Sequence, residues 1–213
     1  MNSSNQGKIY GFIGPKQGGK SYRLNELLKH SDAENRKCLQ GDFSDGIRQT
    51  VLSIFGITEG SVNLLSPWYS SWKDADLQYS VPVGDNIVSG TIKGRDILKN
   101  TGEYIKTLAG GSVWARWTAQ DILRKYSLLS SDEERNRCTV AFGSVRFPIE
   151  VNVIFTIAEI LNKEVELLFC NYHNEKFCPN VHISEELAHS LIFKGYKDGD
   201  IVTDEVKNMY DIK

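Results

Sequence analysis

The sequence predicts a three-layer α/β fold, in which a mostly parallel sheet is flanked by helices. Apolar runs with strand character alternate along the chain with helical segments, which is typical of parallel βαβ units. The first strand, at residues 8–13, leads into a glycine-rich loop and then a helix. The length of 213 residues, with 40% hydrophobic residues, fits one α/β domain with its own core. We therefore expect a single domain over residues 1–213.

The first half of the chain contains four predicted elements. Residues 8–13 form a buried strand, and residues 21–30 form a helix whose leucines Leu24, Leu27 and Leu28 suit packing on a sheet. Residues 36–40 are predicted as a short strand. Residues 46–55 are predicted as a helix that Gly56 ends.

Residues 57–93 show no clear period and are predicted as a long connection, which would serve as a lid or an insertion. Trp68, Tyr69 and Trp72 lie in it. We interpret these aromatic residues as packing anchors, and an aromatic pocket for a base is the alternative.

The second half is more regular. It predicts helices at residues 95–108, 113–126, 149–161 and 185–193, strands at 138–143 and 164–169, and a short edge strand at 200–202.

The bulk composition excludes several classes of protein. The net charge of −2 and the lack of a basic run argue against nucleic-acid binding. No apolar run reaches the length of a membrane span, and the polar start of the chain lacks the apolar core of a secretion signal. We therefore predict a cytoplasmic protein without a membrane or nucleic-acid partner. Its four scattered cysteines should then be reduced.

Residues 14–21 carry the most informative motif. Their sequence, GPKQGGKS, fits the phosphate-loop pattern G-x-x-x-x-G-K-[ST], between a strand and a helix as that pattern requires. The glycines would let backbone amides face phosphate oxygens, and the helix start would add positive potential. Lys20 would reach the terminal phosphates, and the Ser21 hydroxyl would bind Mg²⁺. A chance glycine-rich turn is the alternative. The predicted ATP-binding residues are Gly14, Lys16, Gln17, Gly18, Gly19, Lys20, Ser21 and Tyr22.

Several segments, in order, resemble the phage-type deoxynucleoside monophosphate kinases. After the loop come FSDGIR at 43–48, GRDILKNTGE at 94–103, VWA at 113–115, VRFPIE at 145–150 and HISE at 182–185. The VRFPIE segment is the most specific of these. The resemblance implies a P-loop kinase fold and transfer of the γ-phosphoryl group of ATP to a deoxynucleoside monophosphate, with Mg²⁺. It implies the host cytoplasm if the protein is phage-encoded.

The resemblance also implies roles for particular residues. Lys20 and Arg146 would be catalytic. Arg146 follows a strand end, where a guanidinium suits a phosphate, and an ion pair with Glu150 or another carboxylate is the alternative. The residues implied for the acceptor are Asp45, Arg48, Arg95, Glu103, Trp114 and Arg146. Core packing is the favoured alternative for Trp114, and a plain surface position the favoured one for Asp45 and Glu103.

The chain departs from the family pattern at two important places. Ser144 stands where the family has an acidic residue, and residues 169–171 lack an expected arginine. One rival function is therefore a nucleotide-binding module without catalysis. A thymidine-kinase-like enzyme is another, although the paired-cysteine zinc ribbon is missing. The preferred base and a homodimer both stay open.

A second pattern, C-x₂-H-x₄-C-x₃-H, is formed by Cys170, His173, Cys178 and His182. These are zinc-compatible ligand types at short spacing. The signal is weak, because a thiol at the end of an apolar strand is ordinary in a core. Zinc binding is thus left open.

Overall fold

The structure is a computed structural model that describes residues 6–54, 76–179 and 181–212. The chain divides into two compact units. Unit 1 is Met1–Phe43 with Ala115–Lys213, and unit 2 is Ser44–Trp114.

Strands and helices are interspersed along the described residues. In order they are β1 (Ile9–Ile13), α1 (Lys20–Ala33), β2 (Cys38–Gly41), α2 (Asp45–Ile54), β3 (Asp76–Val83), β4 (Asn86–Lys93), α3 (Gly94–Ala109), α4 (Val113–Ser127), α5 (Asp132–Arg137), β5 (Thr139–Val145), α6 (Pro148–Leu161), β6 (Val165–Phe169), a 3₁₀ turn (Ile183–Glu185), α7 (Glu186–Phe193) and α8 (Thr203–Met209).

Unit 1 is built on a four-stranded parallel sheet in the order β2-β5-β1-β6. The strands are near-continuous apolar runs, as expected for a parallel sheet that is covered on both faces. Gly11 lies opposite Phe142 and Leu167, so these three positions share one face. Between Phe142 and Val145, β5 carries one residue more than β1 does over the matching stretch, which is a β-bulge.

Helices cover both faces of this sheet. On one face, Leu24 and Leu27 of α1 pack with Phe12, Ala141 and Cys170. The other face carries the larger core, to which α4, α6, α7 and α8 contribute apolar side chains. Burying one such side chain stabilises the fold by about 1.5–3 kcal/mol. The prediction of an α/β fold with a mostly parallel sheet flanked by helices is therefore confirmed.

Unit 2 contains α2, the hairpin β3–β4 and α3. The two strands pair antiparallel from Asp76↔Lys93 to Val83↔Asn86, and Gly84, with φ +60°, opens the two-residue turn between them. The prediction of an irregular connection is thus wrong for residues 76–93. The signal that was missed is Gly-Asp between two β-prone runs, a known hairpin turn pair. Residues 55–75 lie outside the described residues, and with them Phe55, Gly56 and the tryptophans of the predicted lid.

Three smaller elements differ from the prediction. Helix α5 was not predicted, although Ser131 caps it by accepting from the Glu134 N–H at 3.1 Å. Helix α8 was not predicted either, and its first turn is acidic as helix starts often are. The predicted edge strand at 200–202 is only a single antiparallel bridge between Leu168 and Ile201. Within the described ranges, no helix combines the length and apolar character needed to cross a membrane.

Candidate phosphate-binding site

The loop at residues 14–21 lies at the carboxyl edge of the sheet in unit 1. Strand β1 sits between β5 and β6, and all three run parallel. The loop that leaves β1 is therefore next to the segments that leave β5 and β6. Ligands bind at this edge in open α/β sheets, because loops and helix starts meet there.

Close contact with the segment after β6 explains two of the loop glycines. A Cβ atom on Gly14 would lie 2.0 Å from the Cys170 carbonyl oxygen, and one on Gly18 would lie 2.5 Å from it. The Tyr172 N–H donates to the Gly18 carbonyl at 3.1 Å, and the Cys170 N–H donates to the Ile13 carbonyl at 2.7 Å. Any side chain at Gly14 or Gly18 would push these segments apart.

The backbone amides at the start of α1 are open. Gly18 donates its N–H to the Pro15 carbonyl at 3.0 Å, which closes the loop. The amides of Gly19, Lys20 and Ser21 donate no hydrogen bond within the described part of the chain. Free amides at a helix start, together with the helix dipole, form a place for an anion.

Lys20 is partly buried and lies over its own loop. Its Nζ donates to the Gly14 carbonyl at 2.5 Å and to the Pro15 carbonyl at 2.6 Å. Its pKa is lowered, first by burial and then by the positive charge of Arg146, whereas Glu185 and Glu175 raise it. Two cations thus lie within electrostatic reach of each other, which favours an anion between them.

Arg146 presents an exposed guanidinium just after β5. Its Nε donates to Ser144 Oγ at 2.9 Å, and within the described residues it makes no ion pair. Glu150 accepts instead from the backbone amides of Arg146 at 2.7 Å and Phe147 at 3.2 Å, as a cap of α6. The alternative of an Arg146–Glu150 ion pair is therefore not what the structure shows.

Burial raises the pKa of the Glu150 carboxyl to about 7, against the pull of the two backbone hydrogen bonds and of Arg146. The carboxylate thus orients the segment that carries Arg146, and it does so at a cost in desolvation.

One residue of the site was not predicted. Glu185, at the end of the 3₁₀ turn, accepts the Lys16 backbone N–H on its Oε2 at 2.7 Å. Glu185 belongs to the HISE segment of the family resemblance, which implies no role for it. The two residues are 169 positions apart, so no local pattern could have joined them.

The remaining predicted ATP-binding side chains are accessible. Lys16 and Gln17 are exposed, and Tyr22 is 60% exposed. Ser21 is exposed in the first turn of α1, and its hydroxyl makes no hydrogen bond within the described ranges. A free hydroxyl beside open amides fits the oxygen ligands that Mg²⁺ takes, so Ser21 fits the predicted role.

The other predicted acceptor residues belong to unit 2. Arg48 is paired with Asp45 at 3.2 Å and also contacts the Ser44 hydroxyl. Glu103 pairs with Lys106 at 2.9 Å on the exposed face of α3. Arg95 is exposed in the first turn of α3.

Trp114 is 7% exposed, and its Nε1 donates to the Gly102 carbonyl at 3.2 Å. This is the environment of a packing residue within unit 2, which is the alternative that the sequence favoured.

The zinc pattern does not assemble. Among the described residues, no group of three or more His, Cys, Asp or Glu side chains could hold a metal ion. Cys170 is buried, Cys178 is exposed, and His182 Nδ1 lies 2.9 Å from Ser184 Oγ as part of a cap.

No protein-family model, no curated protein and no solved structure matches this chain. Support for a function therefore comes from the chemistry of the site's own residues and from the sequence resemblance.

Proposed function

We propose that this protein is a P-loop kinase that uses ATP and Mg²⁺ to phosphorylate a deoxynucleoside monophosphate to the diphosphate. One observation carries the proposal: a loop with open amides and Lys20 follows β1 at the sheet edge where Arg146 follows the neighbouring strand β5. This arrangement supports binding of a chain of phosphates. The deoxynucleotide acceptor and the kinase family come from the sequence resemblance.

The chemistry needs positioning and positive charge more than covalent help. An oxygen of the acceptor phosphate attacks the γ-phosphorus of ATP, and the bond from that phosphorus to the β–γ bridging oxygen breaks, which releases ADP. Lys20 leaves its loop carbonyls to bind the terminal phosphates, and the Arg146 guanidinium contacts the transferring group. The Ser21 hydroxyl would hold Mg²⁺, and the bound ion would supply positive charge that neutralises the phosphate oxygens.

The residues proposed to bind the acceptor monophosphate are those that the sequence resemblance implies. Arg48 and Arg95 are proposed to contact the acceptor phosphate, and Asp45 and Glu103 to orient its sugar. A cytoplasmic location and a phage origin also remain predictions from the sequence.

The test is a coupled assay for ADP release with ATP–Mg²⁺ and each of the four common deoxynucleoside monophosphates. We expect turnover with at least one of them and none with thymidine. Turnover with thymidine alone would favour the thymidine-kinase-like rival.

One observation favours a second candidate, a nucleotide-binding module without catalysis. Ser144 holds the Nε of Arg146, at the position where the resembling kinases carry an acidic side chain. In that case ATP would bind and raise the melting temperature, and no monophosphate would be phosphorylated. Ser144→Asp, which restores the acidic residue, would then produce turnover that the wild type lacks.

A further inference from the structure

The contact between Glu185 and the loop has no part in the proposed reaction. The Glu185 carboxylate accepts the Lys16 N–H at 2.7 Å, and it pairs with no lysine or arginine side chain within the described residues. The 3₁₀ turn that ends at Glu185 runs directly into α7, whose Leu187 and Leu191 are buried in the core of unit 1. The position of the carboxylate is thus fixed by the fold rather than by a flexible surface arm.

The carboxylate lies at one end of the loop. Gly19, Lys20 and Ser21 offer their amides at the helix start, whereas Lys16 precedes them in the loop. In phosphate loops the backbone at the helix start holds the inner phosphates, and the lysine reaches the terminal ones. Lys20 Nζ donates to the Pro15 carbonyl at 2.6 Å, and the Lys16 N–H that Glu185 accepts belongs to the same peptide unit. Glu185 therefore lies near the lysine that would reach a terminal phosphate.

A terminal phosphate and this carboxylate compete for the same donor. Both are anions, and a charge-assisted hydrogen bond to a backbone amide is stronger than a neutral one. A nucleotide whose last phosphate reaches the Lys16 amide must first displace Glu185. A nucleotide that ends one phosphate earlier binds the helix-start amides and leaves the contact intact.

We infer that Glu185 determines phosphate-chain length at this site, by weakening the binding of nucleoside triphosphates relative to diphosphates. The inference rests on the proposed function, since it takes adenine nucleotides as the ligands. The regulating residue thus lies in the short 3₁₀ turn before α7, which is distant in sequence from the loop.

The experiment is calorimetric titration of the full chain with Mg·ATP and, separately, with Mg·ADP, for the wild type and Glu185→Gln. The variant keeps the size of the side chain and removes its charge. We expect the Kd for ATP to fall about tenfold, and the Kd for ADP to change less than about twofold. Glu186→Gln is the matched control, because it removes an equal charge from the next, exposed residue and should change neither Kd. Equal changes for both nucleotides, no change, or weaker ATP binding would overturn the inference.

A second measurement does not depend on the variant folding. In an amide ¹H–¹⁵N spectrum of the wild type, Mg·ATP should shift the Lys16 resonance, because its hydrogen-bond partner is exchanged. Mg·ADP should leave that resonance in place while it shifts Lys20 and Ser21. A Lys16 resonance that moves equally with both nucleotides contradicts the inference.

The coupled assay on the same proteins separates the two proposals. Turnover with an unchanged ratio of ATP to ADP affinity overturns the role of Glu185 alone. The expected change in that ratio without turnover overturns the kinase reaction alone. Failure of both proteins to bind either nucleotide overturns both.

Discussion

Each edge of the parallel sheet carries a lysine that is at least partly buried, Lys163 at the amino edge and Lys20 at the carboxyl edge. The two lysines differ in the groups that surround them. At the amino edge, Lys163 is buried, donates to the Gly7 and Asn136 carbonyls at 3.3 and 3.0 Å, and lies over the Tyr126 ring. At the carboxyl edge, Lys20 donates to the Gly14 and Pro15 carbonyls of its own loop, and the positive charge of Arg146 acts on it.

Burial lowers the pKa of both lysines, so burial alone does not separate them. What separates them is their partners. Lys163 joins the segments that precede β1, β5 and β6, and its hydrogen bonds stabilise the sheet. Lys20 stabilises little beyond its loop, and it lies beside a second cation and open amides. A lysine beside open amides and under the positive charge of a second cation therefore marks a ligand site better than burial alone does.

The largest expected effect is that of Lys20→Ala. We expect about a 1,000-fold loss of kcat/KM for the proposed kinase reaction, because the charge that stabilises the transferring phosphoryl group is removed. Thermal stability should change little. Lys29→Ala, an exposed lysine on the same helix, is the control and should keep full activity. Wild-type turnover in Lys20→Ala would contradict the claim that Lys20 serves the ligand site.

A second effect concerns Glu150, which positions the segment of Arg146. Its pKa is about 7 in the folded protein and about 4.5 when unfolded. A raised carboxyl pKa favours the folded state at low pH, and this contribution is lost as the pH rises from about 4.5 to about 7. The total loss is about 3 kcal/mol.

Glu150→Gln removes this titration and keeps an acceptor for the two amides. Relative to the wild type, the variant should gain about 3 kcal/mol in unfolding free energy between pH 4.5 and pH 8. Urea denaturation at the two pH values measures it. Glu159→Gln, on the exposed face of the same helix, is the control. An equal pH dependence in wild type and Glu150→Gln would show that this carboxyl titrates normally.

The next effect belongs to the amino edge. Lys163→Met keeps the length and packing of the side chain but leaves the Gly7 and Asn136 carbonyls without their donor. We expect a loss of about 2 kcal/mol in unfolding free energy, with kcat/KM close to that of the wild type below the melting transition. Chemical denaturation and the coupled assay measure the two quantities. A large loss of kcat/KM at unchanged stability would contradict the division between the edges.

The smallest effect is expected for Arg146→Lys. The charge remains, but the fork of donors that can bind a phosphate and Ser144 Oγ together is lost. We expect about a tenfold loss in kcat and no change in stability. If a lysine serves equally well, Arg146 contributes only its charge.

The sequence predicted the strand, loop and helix at residues 8–30 because their signals are local: an apolar run, glycines, and a helical period. It also predicted Lys20 and Arg146 as members of one site, since parallel strands bring their carboxyl ends together. The hairpin β3–β4 could have been predicted from Gly84-Asp85, but the lack of a clear hydrophobic period over residues 57–93 suggested an irregular connection.

The long-range contacts of the site and of the sheet could not be predicted from the sequence. The contact between Glu185 and the Lys16 amide joins residues 169 positions apart, and Lys163 reaches Gly7 across 156. Such pairs depend on tertiary packing, which no local period encodes.

The most direct measurement of the central claim is an amide ¹H–¹⁵N spectrum of the full chain during titration with Mg·ATP. We expect the resonances of Gly19, Lys20 and Ser21 to shift together and to saturate at one nucleotide per chain, while those of Gly7 and Lys163 stay in place. Loop resonances that remain fixed at saturating ATP would contradict the account.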